Sequence, residues 1–276
     1  MIYGAIDTSE NNGLRYDGAA AAAAGVKIWW ARSTIGWARL DPAYFIVKKV
    51  AEDNNIPFGT YGLNWPLNRD GRREGRYMLD HLVSGASPRP PRFVVCDAEL
   101  GSKNDSVHNI VPAETVVVNI LYFLETLATS GIETFLYTGG WFLTDPRLAD
   151  AFQKYALYLR KYALILAEYP FQSAAYKLLH GGPMKPAQFD PWIAKPTLPS
   201  PPVFPRVPAP WTKDDLLGVQ WSSYGKQQGI CFNPAPWDRL DYSAFFRIPG
   251  TPPEPPGPTL EERVTALEQK AHTHGG

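Results

Sequence analysis

Short apolar runs alternate with helix-length stretches through the first half of this chain. Residues 2–7, 27–32, 57–61, 93–99 and 133–138 read as strands, and residues 16–25, 42–54, 71–82 and 111–130 read as helices. The first helical stretch carries six alanines and ends in Gly25, a C-cap residue. The second places Tyr44, Phe45, Val47, Val50 and Ala51 on one face at helical spacing. Strands that alternate with helices pair in parallel beneath a helical layer. A length of 276 residues, 45% hydrophobic, is enough for one barrel-sized core.

The second half changes character. Residues 145–179, rich in Tyr, Leu and Ala, read as a long helical stretch interrupted at Pro170. Residues 195–210 carry seven prolines, too many for a helix or a central strand. Residues 145–210 are therefore expected to form a helical and Pro-rich insert. Strand-like runs return at 216–222 and 240–246, which ends the first domain at 248. Residues 249–258 are a semi-rigid linker of Pro, Gly, Thr and Glu. In the tail, 259–276, Leu260, Val264, Leu267 and Ala271 follow the 4, 3, 4 spacing of a coiled-coil seam. So short a seam reads equally as an oligomer contact and as a tail helix.

Charge narrows the function classes. With 27 basic and 27 acidic residues and no basic run longer than Arg72–Arg73, neither nucleic acid nor an anionic membrane is expected as a partner. The start, Met1 to Asp7, shows no positive segment followed by an apolar one, so no signal peptide is expected; no 18-residue apolar span is present, so no membrane insertion is expected. Cys96 and Cys231 read as reduced and structural. His81, His108 and His180 lie far apart without a second ligand at i+3 or i+4, so neither metal nor cofactor is expected.

The fourth strand-like run, Phe93, Val94, Val95, Cys96, leads into Asp97, Ala98 and Glu99. Residues two apart on a strand face the same side, about 6–7 Å apart. Two acids on one side of an otherwise apolar strand need an ion-pair partner or a chemical purpose. An edge-of-sheet salt bridge and acid chemistry on one substrate are both compatible with the doublet. Aromatic residues are abundant, with nine Trp and fourteen Tyr, and such rings serve both cores and sugar-binding clefts.

Several runs, in order, resemble glycoside hydrolase family 25, the Chalaropsis-type lysozymes. They are Ala5-Ile6-Asp7-Thr8-Ser9 with Asn12-Gly13, Arg32-Ser33-Thr34-Ile35-Gly36, Asp41-Pro42 with Tyr44-Phe45, Gly59-Thr60-Tyr61, Val95-Cys96-Asp97-Ala98-Glu99, Leu136-Tyr137-Thr138-Gly139, Trp192-Ile193-Ala194, Gln220-Trp221-Ser222-Ser223 and Leu240-Asp241. The resemblance implies an α/β fold, an irregular TIM-like (β/α)5(β)3 barrel. It further implies a peptidoglycan hydrolase that cleaves the β-1,4 bond between N-acetylmuramic acid and N-acetylglucosamine. Glu99 would be the general acid, and Asp97 would assist the substrate's N-acetyl group. Asp7 and Asp241 would tune those charges and hold sugar hydroxyls. Tyr61, Tyr137, Trp192, Arg32 and Trp221 would bind substrate, although the aromatic residues among them suit core packing equally well.

The chain departs from the family pattern at Ile35, where a Glu is usual, at Arg32 in place of Lys, at Gly62 and Leu63 in place of His and Phe, and at Val219 in place of Trp. None of these positions is an expected acid. The substituted motifs, the Pro-rich linker and the heptad seam also suit a non-catalytic wall-binding module of a phage tail. A chitinase-like barrel fits less well, because Phe93 and Val95 occupy the places of its upstream aspartates. Wall-cleaving chemistry without a signal peptide implies a phage or prophage lysin, made in the host cytoplasm or carried on the virion.

Overall fold

The computed structural model describes residues 3–82, 89–100, 111–167, 207–226, 230 and 239–250, without the side chains of 221–226, 239 and 242. The strands are β1 (Tyr3–Thr8), β2 (Ile28–Ile35), β3 (Arg39–Leu40), β4 (Phe58–Leu63), β5 (Phe93–Asp97), β6 (Glu133–Gly139), β7 (Ala163–Ala167), β8 (Leu216–Lys226) and β9 (Arg239–Phe245). The helices are α1 (Gly18–Ala23), α2 (Tyr44–Asp53), α3 (Gly71–Leu82), α4 (Ala113–Ala128), α5 (Gly140–Leu143), α6 (Ala149–Lys154) and α7 (Ala156–Leu159). Eight strands close on themselves through the pairings of β1 with both β2 and β9, while β3 is a short flap on β2. From β1 to β8 the barrel neighbours are parallel; β9 runs antiparallel to β8 and β1. This is the irregular five-plus-three barrel that the resemblance implies.

One stretch of the fold differs from the sequence expectation. Within the stretch expected to be helical, Ala163–Ala167 is a barrel strand paired in parallel with β6 and β8, and the helices before it are only α6 and α7. The segment Ala-Leu-Ile-Leu-Ala is buried on both faces. It therefore lacks the polar alternation that separates a strand from a buried helix. The expected insert thus contributes one stave of the barrel. Trp192, Cys231, most of the Pro-rich stretch, and all of the linker and tail beyond Gly250 lie outside the described residues.

Alternation along the strands sorts the core into two layers. Ile6, Trp29, Val94, Cys96, Leu136, Leu164 and Leu166 face outward against the helices. Ala5, Trp30, Tyr61, Phe93, Val95, Phe135, Tyr137, Ile165 and Phe245 fill the interior. Inside, Trp30 stands between Phe245, at 6.1 Å, and the rings of Tyr61 and Tyr137, at 5.2 and 5.7 Å. The plug needs a gap on β4, where a Cβ at Gly59 would fall 2.1 Å from the Phe93 ring.

One buried acid organises the loop after β4. Glu74 on α3 is fully buried and accepts hydrogen bonds from Asn64 Nδ2 at 2.8 Å, the Trp65 backbone N–H at 3.0 Å and Asn68 Nδ2 at 2.9 Å. The Asn64 N–H in turn donates to the carbonyl of Asp97 at 2.9 Å, which ties this loop to the end of β5. Burial pushes the Glu74 carboxyl up to about 7 against these donors. Removing the acceptor strands one buried donor, Asn64, and two half-buried ones, Trp65 and Asn68, and a buried loss costs about 1–3 kcal/mol. Glu74→Ala is therefore expected to lower stability by about 2–4 kcal/mol, while Glu74→Gln keeps most of it. Urea unfolding monitored by Trp fluorescence checks both; equal losses for the two variants would contradict the acceptor role.

Candidate active site

The carboxyl ends of the parallel strands open on a solvent-exposed pocket of about 300 Å³, lined by Asp7, Trp30, Tyr61, Asp97, Glu99, Tyr137, Gln220 and Asp241. Asp7 comes from the end of β1. Asp241 comes from the start of the antiparallel β9, directly opposite Asp7 in the register, so the reversed strand delivers its acid to the same end of the barrel. Asp97 closes β5, in register with Leu63 on one side and Tyr137 on the other. The ladder runs one residue further, with the Ala98 N–H donating to Tyr137 O at 2.9 Å and Thr138 Oγ1 donating to Ala98 O at 2.6 Å. Those two bonds prolong the extended backbone towards Glu99, and both acids line the pocket.

A hydrogen-bond relay crosses the pocket. The Tyr137 hydroxyl donates to Gln220 Oε1, and Gln220 Nε2 donates to Asp7 Oδ2 at 2.8 Å. Asp97 Oδ1 is buried and finds no protein donor, and the Trp30 indole Nε1 is likewise buried and unpaired. A buried acceptor without a donor is costly in a resting protein, so its place is in a pocket that receives a polar ligand.

Burial first, and crowding second, set the protonation states. Burial raises the Glu99 carboxyl from an ordinary 4.5 to about 7, opposed by hydrogen bonding with Tyr137. Asp241 is raised to about 7 by burial and by the charge of Glu99, against its hydrogen bond with Asp7. Burial and Asp241 raise Asp7 well above the usual range, with Gln220 opposing. Burial and Glu99 raise Asp97 in the same way, with Arg32 opposing. Four acids that cannot all ionise together retain a proton near neutrality, as an acid catalyst requires.

Of the residues picked out in the sequence, Asp7, Asp97, Glu99, Asp241, Tyr61 and Tyr137 meet in this pocket. Arg32 does not line it. Its guanidinium donates to Asp41 Oδ2 at 2.8 Å and to Glu10 Oε1 at 3.1 Å, and it reaches Asp97 only through its field. Trp192 and the side chain of Trp221 lie outside the described residues. Trp30 and Gln220 were missed, although both had a signal. Trp30 is two residues before Arg32 on one strand, and Gln220 opens the Gln-Trp-Ser-Ser run. Among the described residues, no group of three His, Cys, Asp or Glu side chains is arranged to hold a metal ion.

The sequence model of the glycosyl hydrolases family 25 matches residues 6–176. Comparison with curated protein sequences finds no match. Among solved structures, the bacterial lysozyme from Streptomyces coelicolor superposes with a TM-score of 0.62 at 16% identity, over 89% of this chain and 92% of that one. The family 25 lysozyme from Aspergillus fumigatus gives 0.59 at 16% identity, over 89% and 94%. The catalytic domain of an endolysin from a bacteriophage of Listeria monocytogenes gives 0.58 at 16% identity, over 91% and 98%. At such identities these likenesses are of fold, whereas the family match spans more than half of the sequence. The chain belongs to glycosyl hydrolase family 25.

Proposed function

We propose that this protein is a peptidoglycan hydrolase that cleaves the β-1,4 bond between N-acetylmuramic acid and N-acetylglucosamine. The observation that carries the reading is the pairing, in one pocket, of a Glu99 carboxyl that holds its proton near pH 7 with an Asp97 oxygen that has no protein donor. Glu99 gives its proton to the glycosidic oxygen as the bond from that oxygen to the anomeric carbon breaks. The carbonyl oxygen of the substrate's own N-acetyl group attacks that carbon and closes a five-membered ring. Asp97 Oδ1 accepts from the acetamido N–H, which orients the group and stabilises the positive charge that develops on it. Water then opens the ring, losing its proton to the Glu99 carboxylate, which restores the acid. This route uses the substrate as nucleophile in place of a second carboxylate.

Asp7 and Asp241, both raised by burial and by a neighbouring carboxyl, share in holding the pocket's protons and offer their carboxyls to sugar hydroxyls. The intact acid set favours turnover over a module that only binds wall. We extend the proposal to a phage or prophage lysin acting on the cell wall, which the fold shared with a phage endolysin domain supports.

Glu99→Gln is expected to lower kcat on purified peptidoglycan by about 10²–10⁴-fold with little change in KM. Turbidity clearing together with mass analysis of the released sugar ends reads it out. Clearing by Glu99→Gln at the wild-type rate, or new reducing ends on glucosamine in place of muramic acid, would overturn the assignment. Asp97→Asn should also lose kcat, because an amide in its place supports less positive charge.

The pocket also sets a pH dependence of stability. Acids with folded values above their unfolded ones stabilise the fold fully below their unfolded values and lose that contribution as pH rises through the folded ones. For Glu99 the window runs from about 4.5 to about 7. The melting temperature is expected to fall between pH 5 and pH 8, and Glu99→Gln is expected to flatten the fall and to stabilise the protein at pH 8 by about 1–3 kcal/mol. Scanning calorimetry at both pH values gives the answer; parallel slopes for the two proteins would show that Glu99 does not titrate as described.

A further inference from the structure

The carboxyl end of β6 holds a feature that the acid chemistry leaves unused. Tyr137 and Gly139 are two residues apart and face the same side of the strand, and Tyr137 lines the pocket. Gly139 has ordinary extended backbone, φ −86° and ψ 147°, so no conformational need calls for glycine there. Space does. A Cβ at residue 139 would fall 2.2 Å from Trp141 Nε1 and 2.6 Å from its Cε2.

The Trp141 indole therefore takes the place of a residue-139 side chain, beyond Tyr137 on the inner side of the barrel mouth. Across the ladder, residue 139 is paired with Ala167, another small inward-facing side chain. The indole is 41% exposed, and its edge-to-face contact with the fully buried Phe142, centroids 5.8 Å apart at 88°, fixes its tilt. A rigid, half-exposed aromatic face beside a polar pocket matches the C–H face of a pyranose ring.

We propose that Trp141 is a stacking platform for a sugar of the glycan strand next to the cleaved bond, and that Gly139 is the position that seats it. This deepens the muramidase reading and rests on it. The same site would accept any β-1,4-linked N-acetylated sugar with an open apolar face, and contacts in the acid pocket decide where cleavage falls.

Trp141→Ala is expected to raise KM for polymeric peptidoglycan about tenfold with kcat changed less than about twofold, and Trp141→Tyr is expected to recover most of the loss. Gly139→Ala, which pushes the indole off its seat, should reproduce the effect of Trp141→Ala, and the double variant should be no worse than either single one. A wild-type KM for Trp141→Ala, or losses that multiply in the double variant, would overturn the platform while clearing by wild type and its loss in Glu99→Gln leave the muramidase reading standing. Titration of Glu99→Gln with soluble glycan oligomers prepared from cell wall, followed by Trp fluorescence, provides a measure that needs no turnover. The oligomers should bind about tenfold more weakly when Trp141→Ala or Gly139→Ala is added. Equal affinity would refute the platform, whereas binding that depends on Trp141 in a protein that clears no wall would uphold the platform and reject the hydrolase reading.

Discussion

Desolvation and repulsion among four carboxyl groups that line one pocket at the barrel mouth govern the rest of this structure. Asp7 comes from β1, Asp97 and Glu99 from the end of β5 and Asp241 from β9, and none has a cation in direct contact within the pocket lining. Charge cannot be removed from water cheaply without a partner. The molecule responds by leaving some of the acids protonated and by spreading the rest over a relay from Tyr137 through Gln220 to Asp7. The readiness of Glu99 to donate a proton near neutral pH is a product of its burial, and the crowding raises the acids around it.

Such a pocket persists only if its walls cannot relax. Trp30 and the interior Phe and Tyr rings fill the barrel below the acids, so the strands cannot collapse inward and separate the charges. On the β2 side, Asp41 holds Arg32 and also accepts the backbone N–H groups of Glu10 and Ala43. This keeps one positive charge close enough to moderate Asp97 without neutralising it. On the β4 side, Glu74 clamps the loop whose Asn64 is bonded to the Asp97 carbonyl. On the β6 side, the bare Gly139 and the seated Trp141 shape the mouth. Rigidity at each side serves the same end, because a pKa raised by burial returns to its ordinary value when water enters.

Much of the barrel was legible in the sequence, for a local reason. The first five strands are short apolar runs set off by four helix-length stretches or by prolines, and the observed elements fall within a few residues of those read from that alternation. β7 was not legible. A five-residue run buried on both faces has no period, and the tyrosines and leucines around it continue a helical pattern across it. The acid doublet at Asp97 and Glu99 was visible as two same-facing carboxylates, yet an ion pair explained it as well as chemistry did. Arg32 was read as a substrate ligand because of its place in a motif, and its partners Glu10 and Asp41 lie 22 and 9 residues away in the chain, beyond the reach of any local pattern.

The sequence by itself determined the alternation that makes a parallel barrel, the acids that stand at strand ends and, through its ordered motifs, the family. These are local properties, written in side-chain period and in short runs of residues. Only the tertiary structure decided that Asp241, at the opposite end of the chain from Asp7, faces it across an antiparallel pair, that Gln220 bridges Tyr137 and Asp7, and that Trp141 occupies the space above Gly139. It also decided which carboxyls keep their protons. The physical reason is that desolvation and Coulomb interaction depend on distance through space and on burial, and strand closure sets both between residues that the chain places far apart.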